Sequence, residues 1–216
     1  MTAEVGATRH SLSVADLATW VRRSAALIAE HAEELTDLDA AIGDADHGTN
    51  MARGATAALG KLDPAAPLGS MFKSVGMALV STVGGSAGPL YGTFFMKFGA
   101  KLGDVEDVSL TTFAAALKAG RDGVVARGKA AVGEKTMIDA MTPAVEAFDS
   151  HVGDGPLAAA EAALAAAQQG RDATIPLVAK KGRASYLGER SAGHQDPGAT
   201  STAYLFEALV AAVKEG

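Results

Sequence analysis

Asp39, Asp44 and Asp46 place three carboxylates within eight residues, followed by His47, Gly48 and Asn50. Charges this close repel one another unless a cation offsets them. Asp39 falls at the expected end of a helix, and Gly43 lets the chain fold back, which could bring all three to one point. Hard oxygen ligands without a thiolate favour Mg²⁺ or Ca²⁺ over zinc or copper. The EF-hand pattern D-x-D-x-D-G is not met, and its twelfth-position Glu is missing. Mg²⁺ keeps waters and takes further ligands from substrate phosphates, which implies a nucleotide. The competing reading is a solvated acidic loop whose Asp residues cap helices.

Three further loops are rich in Gly and polar residues. GGSAGP (84–89) precedes an expected helix, where Gly allows close backbone approach and helix N-terminal N–H groups attract anions. It matches neither the Walker A nor the dinucleotide-fold pattern, and a tight inter-helical turn explains it equally well. RGKAAVGEK (127–135) leads to Met137, and the last loop carries Arg183, Glu189, Arg190, His194, Gln195, Asp196 and Gly198. Arg183 could grip a phosphate bidentately, although a lone Arg is more often a surface cation. His47 and His194 are the histidines of these loops. A phosphohistidine or base role stands beside a structural, hydrogen-bonded one. No Ser/His/Asp triad order is evident.

The elements that must position these loops are helical. The chain has 216 residues, 48% of them hydrophobic, which suits one domain with a sizeable core. Forty-seven Ala against 5% aromatics favour closely packed helices over strands. Spacing and breakers predict helices over about 14–38, 50–62, 68–83, 90–100, 110–127, 136–148, 157–169, 172–181 and 199–214. Ser13 and Asp16 suit a capping box, and Pro143 and Pro176 mark kinks or boundaries. Short connections make this an all-α, up-and-down antiparallel bundle of about eight helices, spanning 13–216 after a flexible tail at 1–12. Two helices separate 39–50 from 84–89, which puts both loops at the same end.

The other classes are narrowed by composition. Net charge −6 speaks against a general nucleic-acid binder, and zero Cys excludes disulfides, zinc–thiolate sites and a Cys nucleophile. The start has no signal-peptide h-region and no run of eighteen apolar residues occurs, so a soluble cytoplasmic protein without a membrane partner is expected.

LDAAIGDADHGTNMARG (38–54), GGSAGPLYGTFF (84–95), GKAAVGEKTMIDA (128–140) and KGRASYLGERSAGHQDPGATS (181–201) together resemble the family of the dihydroxyacetone kinase L subunit. The resemblance runs over nearly the whole chain after Ser13. It implies a barrel-like bundle of eight amphipathic helices. It implies that Asp39, Asp44 and Asp46 hold two Mg²⁺ on the phosphates of ADP or ATP. His47, Gly48, Thr49 and Asn50 would contact the nucleotide, and Ser86 and Ala87 the phosphates. Ala87 stands where the family often has Ser, so a backbone contact survives there and a hydroxyl contact does not. Gly128, Met137, Arg183, Asp196, Pro197 and Gly198 match further nucleotide contacts, with Met137 against adenine and the 196–198 turn closing the site.

The implied reaction is phosphoryl transfer to dihydroxyacetone, which a separate K subunit holds covalently through its own His. Arg183 would stabilise charge on the transferred group, and no nucleophile is required of this chain. Two subclasses stay open. Bound ADP is recharged by a phosphohistidine protein of the phosphotransferase system, or ATP exchanges freely, with substrates extending to erythrulose. The length suggests a separate subunit rather than a fused enzyme. The alternatives are the nucleotide-binding domain of a fatty-acid kinase and a non-catalytic regulatory bundle.

Overall fold

The computed structural model describes residues 10–216, so most of the expected N-terminal tail lies outside the described residues. The helices are α1 (Val14–Glu30), α2 (Ala32–Ile42), α3 (His47–Leu59), α4 (Leu68–Thr82), α5 (Ala87–Leu102), α6 (Leu110–Gly128), α7 (Met137–Ser150), α8 (Pro156–Ala173) and α9 (Pro197–Glu215). Helix α1 packs on α3, each helix from α3 to α8 packs on the next, and α9 returns to α1. Eight helices therefore close a barrel, as the bundle reading requires, while α2 carries the chain from α1 to the start of α3. Arg23 pairs with Glu215, and the His31 and Tyr204 rings stack, so α1 and α9 run antiparallel.

Local signals set the boundaries. Ser13 and Asp16 form the expected capping box on α1, and Thr136 and Asp139 form another on α7. Pro156 and Pro197 occupy first-turn positions, where no N–H is needed. The chain stays helical through Pro143.

One end of the barrel is plugged by aromatics. The Trp20 ring lies 5.4 Å from Phe98 and 5.7 Å from Phe113, with Phe72 and Phe95 around it, and its Nε1 donates to the Leu205 carbonyl at 2.8 Å. These edge-on and tilted contacts fill space that Ala-rich helices leave open. The Ala-rich stretch is a packing seam: Ala159, Ala160, Ala163 and Ala167 of α8 are fully buried. The opposite end stays open, and the polar loops gather there.

Three expectations are corrected. The single helix over 14–38 breaks at His31, which has neither Gly nor Pro to announce it; the His31 ring stacks on Tyr204 and meets Glu34 at 2.9 Å instead. No helix forms over 172–181. Helix α8 runs on to Ala173, and Pro176, which cannot donate, follows in a turn. The loop expected at 182–198 is in part 3₁₀, over Arg183–Ser191 with a kink at Gly188. A two-stranded antiparallel ribbon also ties β1 (Ser11–Ser13) to β2 (Asp107–Ser109), each only three residues long, and Leu12 is fully buried in it.

Candidate functional site

The acidic loop lies between α2 and α3. The Asp39 carboxylate accepts the N–H groups of Asp46 at 2.8 Å and His47 at 3.2 Å, so it caps α3 from the preceding helix. Ala45 takes a left-handed conformation (φ 60°) to complete the turn. Glycine at 43 leaves room for the Asp39 carboxylate, since a Cβ there would meet Asp39 Oδ1 at 2.0 Å. The turn leaves one carboxylate oxygen each of Asp39, Asp44 and Asp46 within 4.8 Å of the others. An all-oxygen, thrice-charged donor set with room for further ligands fits a hard divalent cation such as Mg²⁺. Across the opening, an Arg183 Nη lies 2.9 Å from Asp44 Oδ2.

The triad forms one wall of a cleft of about 470 Å³ at the open end of the barrel. Helices α3, α5, α7 and α9 all begin at this cleft, through His47, Ala87, Met137 and Pro197. Four positive dipole ends therefore face one space. The start of α5 is left open for a ligand: Ser86 makes no side-chain cap, and Gly85 turns the chain at φ 64°. The uncapped N–H groups of its first turn form a ready anion site. Leu90, Val124, Ala130, Met137 and Ile138 supply an apolar wall. The cleft thus offers a corner suited to a cation, a corner suited to an anion and an apolar wall.

The floor is buried and polar. Asp196 is 8% exposed and caps α9 by accepting the Ala199 N–H at 2.7 Å. Burial first, and the Asp139 and Asp39 charges after it, raise its carboxyl to about 7, while the Ala199 N–H and Lys135 act against the rise. Burial likewise pushes the Lys135 ammonium down, opposed by Asp196 and Asp139. His47 Nε2 meets Ser201 Oγ at 3.0 Å, and burial lowers its pKa despite Asp39 and Asp46. The Tyr91 hydroxyl bonds Ser201 and Thr202 at 2.7 and 2.9 Å, and burial pushes it up to about 12.

The fold brings thirteen of the fifteen sequence-picked residues to this cleft: Asp39, Asp44, Asp46, His47, Asn50, Ser86, Ala87, Gly128, Met137, Arg183, Asp196, Pro197 and Gly198. Gly48 and Thr49 are placed elsewhere. Gly48 is buried against α2, where a Cβ would lie 1.9 Å from the Ala32 carbonyl, and the exposed Thr49 does not line the cleft. His194 belongs to a separate groove with His31 and Glu34. Sequence reasoning missed Leu90, Tyr91, Arg127, Lys135 and Lys181 as lining residues. Leu90 and Tyr91 carried a signal, since they directly follow the GGSAGP turn. A lysine in a Gly/Lys loop carries none.

Comparison with known proteins follows the same lines. Residues 41–211 match the family described as the DAK2 domain. The chain is 43% identical over 209 residues to the PEP-dependent dihydroxyacetone kinase, ADP-binding subunit DhaL, of Escherichia coli, covering 95% of this chain and all of that one (100%). The ADP-binding subunit DhaL of the PEP-dependent dihydroxyacetone kinase 1 of Listeria innocua is 46% identical over 194 residues, covering 88% and 92% of the two chains. A D-erythrulose kinase of Mycolicibacterium smegmatis is 38% identical, but the match covers only 31% of that protein against 82% of this one. The crystal structure of the dihydroxyacetone kinase from C. freundii in complex with AMP-PNP and Mg²⁺ superposes with a TM-score of 0.71 at 29% identity, over 98% of this chain and 36% of that one. No helix among the described residues is long and apolar enough to cross a membrane.

Proposed function

The chain belongs to the DAK2 domain family, and on that premise we propose that it is the ADP-binding, Mg²⁺-dependent subunit of a dihydroxyacetone kinase, a phosphotransferase. The observation that carries this is the triad Asp39, Asp44 and Asp46 facing the uncapped start of α5 across one cleft. Residues 13–216 act as a single nucleotide-binding helical domain.

Asp39, Asp44 and Asp46 would hold two Mg²⁺, which when bound offset the charge of the polyphosphate. The residues do the rest. The N–H groups of Ala87 and Gly88, with Ser86, bind phosphate oxygens. His47, Asn50 and the 196–198 turn line the phosphate end, and Arg183 neutralises charge on the terminal phosphoryl group. Met137, Leu90 and Ile138 pack against the base and exclude water, with Gly128 beside them. Gly48 acts indirectly, by seating the start of α3 against α2, and Thr49 follows it on the same turn.

The acceptor ketose is held by a separate K subunit, and bound ADP is recharged by a phosphohistidine protein of the phosphotransferase system, in the cytoplasm. ADP as a retained coenzyme is favoured over freely exchanging ATP because the matched ADP-binding subunits cover this chain almost end to end. The erythrulose kinases match over under a third of their length. The test is to purify the chain, denature it, identify any released nucleotide by chromatography, and follow its replacement by labelled ATP in Mg²⁺. Tightly held ADP is expected. Rapid ATP exchange would place the chain with ATP-dependent ketose kinases, and no Mg²⁺-dependent binding would refute the function.

A further inference from the structure

Lys135 is the one buried lysine or arginine among the described residues, 1% exposed, and its backbone is left-handed (φ 62°). Its ammonium donates to the carbonyls of Thr174 at 2.7 Å and His194, with a long contact to Ile175 at 3.5 Å. An ammonium has three N–H groups, so none is left to reach a phosphate. Its bonding partners are informative in themselves. Thr174 and Ile175 directly follow α8, and His194 lies two residues before the Asp196 cap of α9. They are the two ends of the long loop that carries Arg183.

The neck of that loop is closed by two more bonds beside the ammonium, Gly193 N–H to the Ile175 carbonyl at 2.8 Å and Asp196 N–H to Thr174 Oγ1 at 3.0 Å. Beyond the neck there is little apolar anchorage. Within Arg183–Ser191 only Ser191 is buried, and Tyr186 is 87% exposed. A segment held by hydrogen bonds rather than by apolar burial opens at low cost, so its position depends on the bonds at its base and on the bond from the Lys180 N–H to the Glu134 carbonyl at 3.1 Å, which ties the arm before Arg183 to the residue preceding Lys135. Within the loop, away from the neck, Arg183 reaches Asp44.

We propose that Lys135 is a positioning residue: its ammonium clasps the neck of the 174–196 loop and so holds Arg183 against the acidic triad at the mouth of the cleft. This rests on reading that cleft as the nucleotide site. Lys135 acts through Arg183, since its ammonium is engaged by the loop carbonyls.

The test compares wild type, K135M, R183A and the K135M/R183A double variant as full chains. In nucleotide-free protein, amide hydrogen exchange over 176–195 should rise about ten-fold in K135M, while α1, α4 and α5 keep their protection. Mg²⁺–ADP affinity should fall about ten-fold in K135M, in the range seen when the supports of a binding residue are removed. In the R183A background the same change should cost little more, because both substitutions remove one arrangement. Unchanged exchange in the loop, exchange rising evenly over the barrel, or affinity losses that multiply in full would each overturn the clasp. If K135M does not fold, K135R takes its place, since a planar guanidinium cannot meet the same carbonyls as a compact ammonium. Absence of Mg²⁺–ADP binding in wild type would refute the functional reading, and the exchange measurement would still decide the clasp.

Discussion

Asp44 is the most exposed of the three carboxylates and the one that meets Arg183, so it can be altered without disturbing the α3 cap that Asp39 provides. Asp44→Asn should abolish Mg²⁺-dependent ADP retention and leave the far-ultraviolet circular dichroism unchanged; retained ADP would remove Asp44 from the ligand set. The exposed ion pair lost with it is worth no more than about 1 kcal/mol, so a stability change cannot stand in for the binding effect. Asp196 makes the opposite kind of prediction. Its carboxyl is raised to about 7 in the folded chain against 3.8 when exposed, so the folded state binds more protons between those values. Stability therefore falls as pH rises from about 4 to 7, by up to about 1.4 kcal/mol per unit. His47, with its pKa lowered by burial, works in the opposite sense below 6.5. Asp196→Asn keeps an oxygen to cap Ala199 and should flatten the decline, which urea titrations of the nucleotide-free protein across that window would read. A wild-type profile with no greater decline than the variant's would contradict the buried, protonated Asp196.

At the scale of elements, the turn between α2 and α3 separates site from scaffold within a few residues. Gly43→Ala would drive a Cβ to 2.0 Å from Asp39 Oδ1, a side-chain oxygen that can move, so the triad gives way. Gly48→Ala would drive a Cβ to 1.9 Å from the Ala32 backbone carbonyl, which cannot move without shifting α2. Gly43→Ala should weaken Mg²⁺–ADP binding with a small change in urea midpoint. Gly48→Ala should cost stability at or above the upper end of about 1–3 kcal/mol. Equal urea midpoints for the two variants would count against this division. The same contrast explains what the sequence could and could not reveal. Helices α3 to α7 and α9 were legible to within about a turn because apolar spacing and Gly/Pro punctuation mark them. The break at His31 was not, because a long-range ring contact with Tyr204 decides it. Residues 172–181 were expected to be helical, and the chain nevertheless leaves α8 at Ala173, just before the Thr174 and Ile175 carbonyls that Lys135, far away in sequence, collects. The family resemblance pointed to thirteen cleft residues, whereas Gly48 and Thr49, matched along with them, do not line the cleft. Lys135 was invisible, since nothing in a Gly/Lys loop says which lysine turns inward.

Over the whole molecule, the barrel is asymmetric along its axis. The Trp20 cluster closes one end with apolar contacts, while the other ends in helix termini whose charges and dipoles are mutually offset only in part. Three carboxylates within 4.8 Å repel one another, and the starts of α3, α5, α7 and α9 repel as like dipole ends. A ligand that is cationic at one corner and anionic at the other relieves both, and the cleft it would fill is lined by α2, α3, α5, α6, α7 and α9. Its binding energy should therefore appear as global rather than local stability. Mg²⁺ with ADP at about one hundred times Kd should add about 2.7 kcal/mol to unfolding, with the unfolding temperature rising as ligand concentration rises. Either component alone should give much less, because Mg²⁺ relieves only the triad and free ADP brings its charge towards uncompensated carboxylates. Excess chelator should return the protein to its nucleotide-free midpoint, and Asp44→Asn should show no Mg²⁺-dependent rise at any ADP concentration. Thermal unfolding over a two-way titration of Mg²⁺ and ADP measures this directly. A rise with ADP that is the same in chelator would mean that the nucleotide is held without the carboxylates, and the acidic loop would then be no more than a set of helix caps.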